Sequence, residues 1–207
     1  LPRNMLLAFL FGALASGGLV FVRETMDQSI RNPADVTRVL DLPVLGLIPL
    51  IPEDQITAQL ADKASELNEA YQATRTALTF LTDSGAPGSI LFTSTRPDEG
   101  KTVTAVAVAE SLGFLGKRVL YLDADLRNSG LKEIVDNVPK QGVGLSGFLA
   151  GNDDFHESIV DLPDHPFDIF LSGRKPPNPS ELLAGPRMRN LIEQLSNSYD
   201  HIIVDGP

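Results

Sequence analysis

Apolar residues follow three rhythms along this chain. The first is an unbroken run, MLLAFLFGALASGGLVFV from Met5 to Val22, eighteen residues without a charge, flanked by Arg3 and by Arg23-Glu24. As a helix rising about 1.5 Å per residue it would span roughly 27 Å, close to the hydrocarbon thickness of a bilayer, which predicts a transmembrane helix within residues 1–22. Gly12, Ala15, Ser16, Gly17 and Gly18 in this run would let a neighbouring helix approach closely. The second rhythm is helical. Leu60, Leu67, Tyr71, Leu78 and Leu81 share one face and predict a long helix from about Thr57 to Thr82, and Val103, Val106, Ala107 and Phe114 predict another that follows Lys101 and ends near Gly113 or Gly116. The third rhythm is short apolar runs that read as buried strands: SILFTS (89–94), RVLYLD (118–123), FDIFL (167–171) and HIIVD (201–205). Asn178-Pro179-Ser180-Glu181 has the pattern of a helix start, with an Asn cap, proline at the first helical position and a Glu reaching back, and predicts helix through about Asn197.

Strands alternating with helices predict an α/β fold, a mostly parallel sheet with helices on both faces, preceded by the membrane helix. Residues 23–56, with DLPVLGLIPLIPED (41–54) at their end, read as a proline-rich extended connector, and 57–207 as the domain. Arg23, Arg31 and Arg38 follow the span while only Arg3 precedes it, which places residues 23–207 on the cytoplasmic side. The abrupt start at Leu1-Pro2-Arg3 suggests a chain continued upstream.

Composition narrows the choice of chemistry. A net charge of −10 with no Lys/Arg cluster argues against nucleic acid as a partner, because phosphate backbones are gripped by clustered cations. The absence of cysteine removes disulfides and thiolate metal sites.

In open α/β sheets ligands sit at the carboxyl ends of strands, and three of the four predicted strands end in suggestive residues. The first runs into TSTRPDEGKT (93–102). Gly100-Lys101-Thr102 would supply backbone N–H groups at a helix start, an ammonium for phosphates and a hydroxyl for Mg²⁺, although Thr95 stands where the strict phosphate-loop pattern has glycine. The second runs into LDADLR (122–127), where Asp123 and Asp125 could share one site, one on a metal and one accepting a proton, or simply form a polar loop with an Asx turn. The third, IIVDGP (202–207), places Asp205 where nucleotide hydrolases and kinases hold Mg²⁺.

Together these segments resemble the bacterial tyrosine kinases (BY-kinases) that form the cytoplasmic part of polysaccharide co-polymerases. The span followed by LDLPVLGLIP is similar to that family's second membrane helix and its exit, NEAYQATRTALTF to the helix before the loop, and LDADLR and IIVDGP to its second and third nucleotide-site motifs. GVGLSGFLAG (142–151) and SGRKPPNPSELL (172–183) match further family signatures. The resemblance implies a P-loop fold that binds ATP and Mg²⁺ and transfers the γ-phosphoryl group to tyrosine, usually on a neighbouring copy, in the control of capsule or exopolysaccharide polymerisation and export at the bacterial inner membrane. It implies a nucleotide site of Pro97, Asp98, Glu99, Gly100, Lys101, Thr102, Thr104 and Arg127, catalytic roles for Lys101, Asp123 and Asp125, and metal ligation by Thr102, Asp123, Asp125 and Asp205, with the roles of Asp123 and Asp125 left open.

Departures from the family pattern carry their own expectations. Glu69, Gln72 and Arg75 stand where the family has Glu and two Arg used in subunit contact, so self-association would rest on Glu69 and Arg75. Asp98 replaces the usual glycine and would weaken ATP binding, while Glu99 would point to solvent. The family's C-terminal tyrosine cluster is not within residues 1–207, where the domain reads as truncated, and Tyr71, Tyr121 and Tyr199 read as structural. The three histidines lack metal-ligand spacing and read as surface or loop residues. Non-catalytic nucleotide-binding regulators of chain length, and membrane-tethered partitioning ATPases, are the competing classes. Strands wanting from the sheet would make independent folding of this chain difficult.

Overall fold

Proline opens several of the helices, among them those that start at Pro33, Pro179 and Pro186, where its missing N–H costs nothing and its fixed φ suits the first turn. The structure, a computed structural model, describes residues 2–26, 32–83, 85–139 and 142–207. Two compact units divide the chain, 1–44 and 45–207.

The first unit holds α1 (Pro2–Met26) and α2 (Pro33–Leu40). The Asp35 carboxylate accepts the Asn32 N–H at 3.1 Å and the Arg38 guanidinium at 2.8 Å, tying together the first turn of α2. The expected span lies within α1, several of whose side chains are outside the described residues. Among the described residues no helix is long and apolar enough to cross a membrane.

The second unit begins inside the stretch expected as connector. Leu45 packs against the main core, and Ile51 against Leu67 and Tyr71. Gly46 passes so close to Thr74 that a Cβ there would collide with its hydroxyl. The expected helix over 57–82 is two helices, α3 (Glu53–Ala61) and α4 (Glu66–Thr79). The break comes from short polar side chains that offer the backbone other partners: Asp62 accepts the Ala64 N–H at 3.0 Å, and the Ser65 hydroxyl caps α4 by accepting the Asn68 N–H at 3.0 Å.

Five strands follow: β1 (Ser89–Phe92), β2 (Val119–Asp123), β3 (Ile159–Asp161), β4 (Asp168–Phe170) and β5 (His201–Asp205), in the spatial order β1-β5-β2-β4-β3. All pairs are parallel except β3–β4. The expected mostly parallel sheet is present, with one antiparallel edge strand that three residues were too few to reveal. β1 pairs with β5 and, among the described residues, has no neighbour on its other side. Its Leu91 is 64% exposed.

Alternation sorts the strands' side chains onto two faces. Tyr121, Ile169 and Ile203 face a core shared with Ala105, Val108 and Leu112 of α5 (Lys101–Gly113). Leu120, Leu122, Ile202 and Val204 face α6 (Leu145–Ala150) and α8 (Pro186–Leu195). The expected helix over 178–197 is divided into α7 (Pro179–Ala184) and α8 at Gly185-Pro186, because proline cannot continue the helical ladder. At its start Glu181 accepts a hydrogen bond from the Asn178 side-chain amide at 2.7 Å rather than from the backbone.

Candidate functional site

The loop between β1 and α5 turns twice through the left-handed region, at Asp98 (φ 62°) and Gly100 (φ 76°). Glycine adopts that region freely and aspartate with some strain, so Asp98 occupies a glycine-like position, as its place in the motif implied. Pro97, Asp98, Glu99 and Gly100 are all exposed on this loop. Glu99 is exposed, as expected, and it also folds back on the loop: its Oε2 accepts the backbone N–H groups of Thr95 at 3.0 Å and Arg96 at 3.2 Å. Those bonds, with a third from the Thr95 hydroxyl, hold its carboxyl below the usual carboxylate range. A side chain four residues along the loop thus closes it into a bracket.

The N-terminus of α5 then delivers Lys101 and Thr102. The Thr102 hydroxyl donates to Asp205 Oδ2 at 2.8 Å, and Lys101 Nζ stands 3.6 Å from Asp125 Oδ2 and 3.8 Å from Asp205 Oδ1. Thr104 faces the other way, bonding the Gly100 carbonyl at 2.9 Å and the Tyr71 hydroxyl at 3.2 Å, so it fastens α4 to the loop's exit.

Asp123 and Asp205 are in-register residues at the ends of β2 and β5, so their side chains leave the same face of the sheet. Both are buried, and Asp123 Oδ1 and Asp205 Oδ1 have no hydrogen-bond partner among the described residues. Desolvation is the main reason that the Asp123 carboxyl is pushed up to about 6, with hydrogen bonds from Ser129 and Ser172 opposing it and the charges of Asp205 and Asp125 adding to it. Burial also raises Asp205, against the pull of Tyr121, Thr102 and Lys101. Asp125 is differently employed: its Oδ1 accepts the Arg127 and Asn128 N–H groups at 3.1 and 3.0 Å, the Asx turn weighed above, which leaves Oδ2 toward Lys101. Arg127 points away to the Ser180 hydroxyl of α7 at 3.3 Å.

Among the described residues no three His, Asp or Glu side chains converge closely enough to hold a metal ion unaided. Two buried carboxylate oxygens without partners, beside a hydroxyl and a phosphate-type loop, nonetheless fit Mg²⁺, which takes one or two carboxylates and completes its shell with phosphate and water. A cavity of about 600 Å³ lies elsewhere, between α3, α4 and α5, and none of the loop residues or the three aspartates lines it. Arg75 reaches its wall and bonds Ser111 at 3.2 Å, while Glu69 is exposed.

Sequence reasoning missed the polar groups behind the aspartates. Tyr121, read as a core residue, is fully buried and donates its hydroxyl to Asp205 Oδ2 at 2.7 Å. The signal was available, since a tyrosine two residues before a strand-end aspartate must share its face. Ser129 and Ser172 gave none, because they meet Asp123 only through the tertiary fold. His201, expected at the surface or in a loop, is buried in β5 with Nδ1 2.9 Å from the Pro87 carbonyl.

No family profile matches the chain. It is 30% identical over 226 residues to the tyrosine-protein kinase etk of Escherichia coli K12, matching 99% of this chain and 31% of the relative, and 35% identical over 149 residues to the tyrosine-protein kinase CpsD of Streptococcus agalactiae, matching 70% of this chain and 62% of the relative. The chain thus spans about a third of the length of the first of these curated relatives. The solved kinase domain of Escherichia coli tyrosine kinase ETK superposes with a TM-score of 0.76 at 30% identity, covering 86% of this chain and 73% of that domain.

Proposed function

The chain belongs to the bacterial tyrosine kinases, and from that membership we propose that it is an ATP-dependent protein-tyrosine autokinase regulating exopolysaccharide or capsule polymerisation and export. One observation carries the catalytic part: Asp123 and Asp205, in register on neighbouring parallel strands, each keep a buried carboxylate oxygen without a hydrogen-bond partner, that of Asp205 beside Lys101.

In this reading the N–H groups at the start of α5 and the Lys101 ammonium receive the phosphates of ATP. Thr102 and Asp205, with Asp125 across from Lys101, would hold Mg²⁺, which when bound neutralises phosphate charge as the γ-phosphoryl group departs. Asp123 would take the proton from the tyrosine hydroxyl while the tyrosine oxygen bonds the γ-phosphorus and the bond from that phosphorus to the departing ADP breaks. A carboxyl pushed up to about 6 suits that task, being ionised near neutral pH yet more basic than an ordinary carboxylate. We assign the base to Asp123 because Asp125 spends one oxygen on its Asx turn.

The uncharged run within α1 supports an anchor in the inner membrane with residues 23–207 in the cytoplasm, near the polysaccharide polymerase and export machinery. Self-association would use the exposed Glu69 together with Arg75 on α4. The test is phosphotyrosine formation on a tyrosine-containing acceptor peptide with ATP and Mg²⁺, for wild type, Lys101→Met and Asp123→Asn. Wild-type signal lost in both variants is expected; wild type that binds ATP and labels nothing would end the kinase reading.

A further inference from the structure

Asp205 Oδ2 is already taken. It accepts one hydrogen bond from the Thr102 hydroxyl at 2.8 Å and a second from the Tyr121 hydroxyl at 2.7 Å, while Oδ1 has no hydrogen-bond partner and lies 3.8 Å from Lys101 Nζ. A carboxylate at a strand end can rotate about its last bond and present either oxygen. Here the two donors on Oδ2 remove that freedom and leave Oδ1 as the oxygen aimed at the ligand end of the sheet.

The two donors are not equivalent. Thr102 lies on the phosphate loop's helix, and in the proposed reading its hydroxyl turns to the metal, so its bond to Asp205 would be surrendered or shared. Tyr121 has no such second task. Its ring is fully buried in β2, packed against Phe167 with ring centroids 6.2 Å apart, within the core formed with α5. A carboxylate can only accept, so between these two groups the tyrosine hydroxyl is the donor. The hydroxyl is therefore a fixed point, set by the packing of the sheet itself.

We infer that Tyr121 is a positioning residue for metal binding: its buried hydroxyl locks Asp205 so that Oδ1 is presented to Mg²⁺. The inference rests on the proposed role of Asp205. Groups that orient a metal ligand from behind commonly govern metal affinity by tenfold or more, because a ligand held in place pays no rotational cost on binding.

The experiment is calorimetric titration of ADP into wild type, Tyr121→Phe, Asp205→Asn and the double variant, each with excess Mg²⁺ and again with EDTA. Phenylalanine keeps the ring and its packing, and thermal melts of the nucleotide-free proteins report any loss of fold. Wild type should bind ADP more tightly with Mg²⁺ than with EDTA. In Tyr121→Phe that Mg²⁺-dependent gain should fall roughly tenfold, while ADP affinity in EDTA stays within about twofold. On the Asp205→Asn background the phenylalanine should change nothing further. An unchanged Mg²⁺ gain in Tyr121→Phe would overturn the inference while leaving the role of Asp205 standing. Equal losses with Mg²⁺ and with EDTA would also overturn it, as the mark of a merely structural hydroxyl. A wild type and Asp205→Asn with the same Mg²⁺ gain would overturn the inference through its premise, the role of Asp205.

Discussion

Asp123 on β2 and Asp205 on β5 are register partners in a parallel pair, so two carboxylates end side by side on one face of the sheet. In the nucleotide-free, metal-free protein this arrangement makes stability depend on pH. An acid whose folded-state pKa lies above its unfolded value favours the fold only while protonated. For Asp123 that contribution is complete below its ordinary value of 3.8 and is lost as pH rises through about 6. A shift of about two units corresponds to roughly 3 kcal/mol at pH 7.5. Asp123→Asn should therefore stabilise the chelator-treated protein at pH 7.5 and lose that advantage by pH 4. Asp200, held down to about 2 by Arg118, contributes stability that is lost only at lower pH, as pH falls from 3.8 through about 2. Urea unfolding at several pH values measures the difference, and a constant gap between wild type and variant would disprove the account.

Glu99 and the N–H groups of Thr95 and Arg96 form a brace inside the phosphate loop. Removing it leaves the loop free to sample more shapes, each of which must be frozen out when phosphate binds. Glu99→Ala should weaken ADP affinity several-fold in EDTA as well as in Mg²⁺, and Glu99→Gln should recover part of the loss because its carbonyl oxygen can still accept. Tighter binding by the alanine variant would show instead that the carboxylate competes with phosphate.

Asp98 sits at φ 62°, a conformation glycine adopts without a steric penalty. Asp98→Gly removes that strain and also a negative side chain from the phosphate loop. Nucleotide affinity should rise several-fold, with little change in melting temperature since a relief of about 1 kcal/mol is offset by the entropy of glycine in the unfolded chain. Identical affinities in a titration would refute it.

Gly113, the last residue of α5, passes so close to Pro166 that a Cβ would be driven into that residue's carbonyl. Backbone cannot step aside as a flexible side chain can. Gly113→Ala should cost about 1–3 kcal/mol in chemical denaturation. Gly116→Ala would meet no neighbour but carries φ 77°, so its smaller loss would come from backbone strain alone. Equal effects from the two would contradict this division.

The parallel sheet and three strand-end segments could be read from the chain because each signal is local. Buried strands announce themselves as apolar runs, and a phosphate loop as Gly-Lys-Thr between strand and helix. Helix breaks were readable in principle: Asp62 with Ser65, and Gly185 with Pro186, are stop and start residues that the apolar periodicity overran. β3 could not be seen, because three residues whose pairing is decided by β4 carry no rhythm of their own. The site divides the same way. Lys101, Thr102, Asp123, Asp125 and Asp205 stand in recognisable motifs, whereas Ser129 reaches Asp123 only through the turn that follows β2 and Ser172 only because the fold brings a distant stretch beside it. Thr104 and Arg127 stand in the site by motif alone, and their side chains bond Gly100 and Ser180.

Among the described residues the side of β1 away from β5 has no paired strand, which bears on how these residues behave in a tube. A strand margin without a partner and with a 64%-exposed leucine is a template on which a passing extended segment can add. Crowding at high concentration would then act on that margin. Leu91 is accordingly the position at which a lysine would blunt sticking.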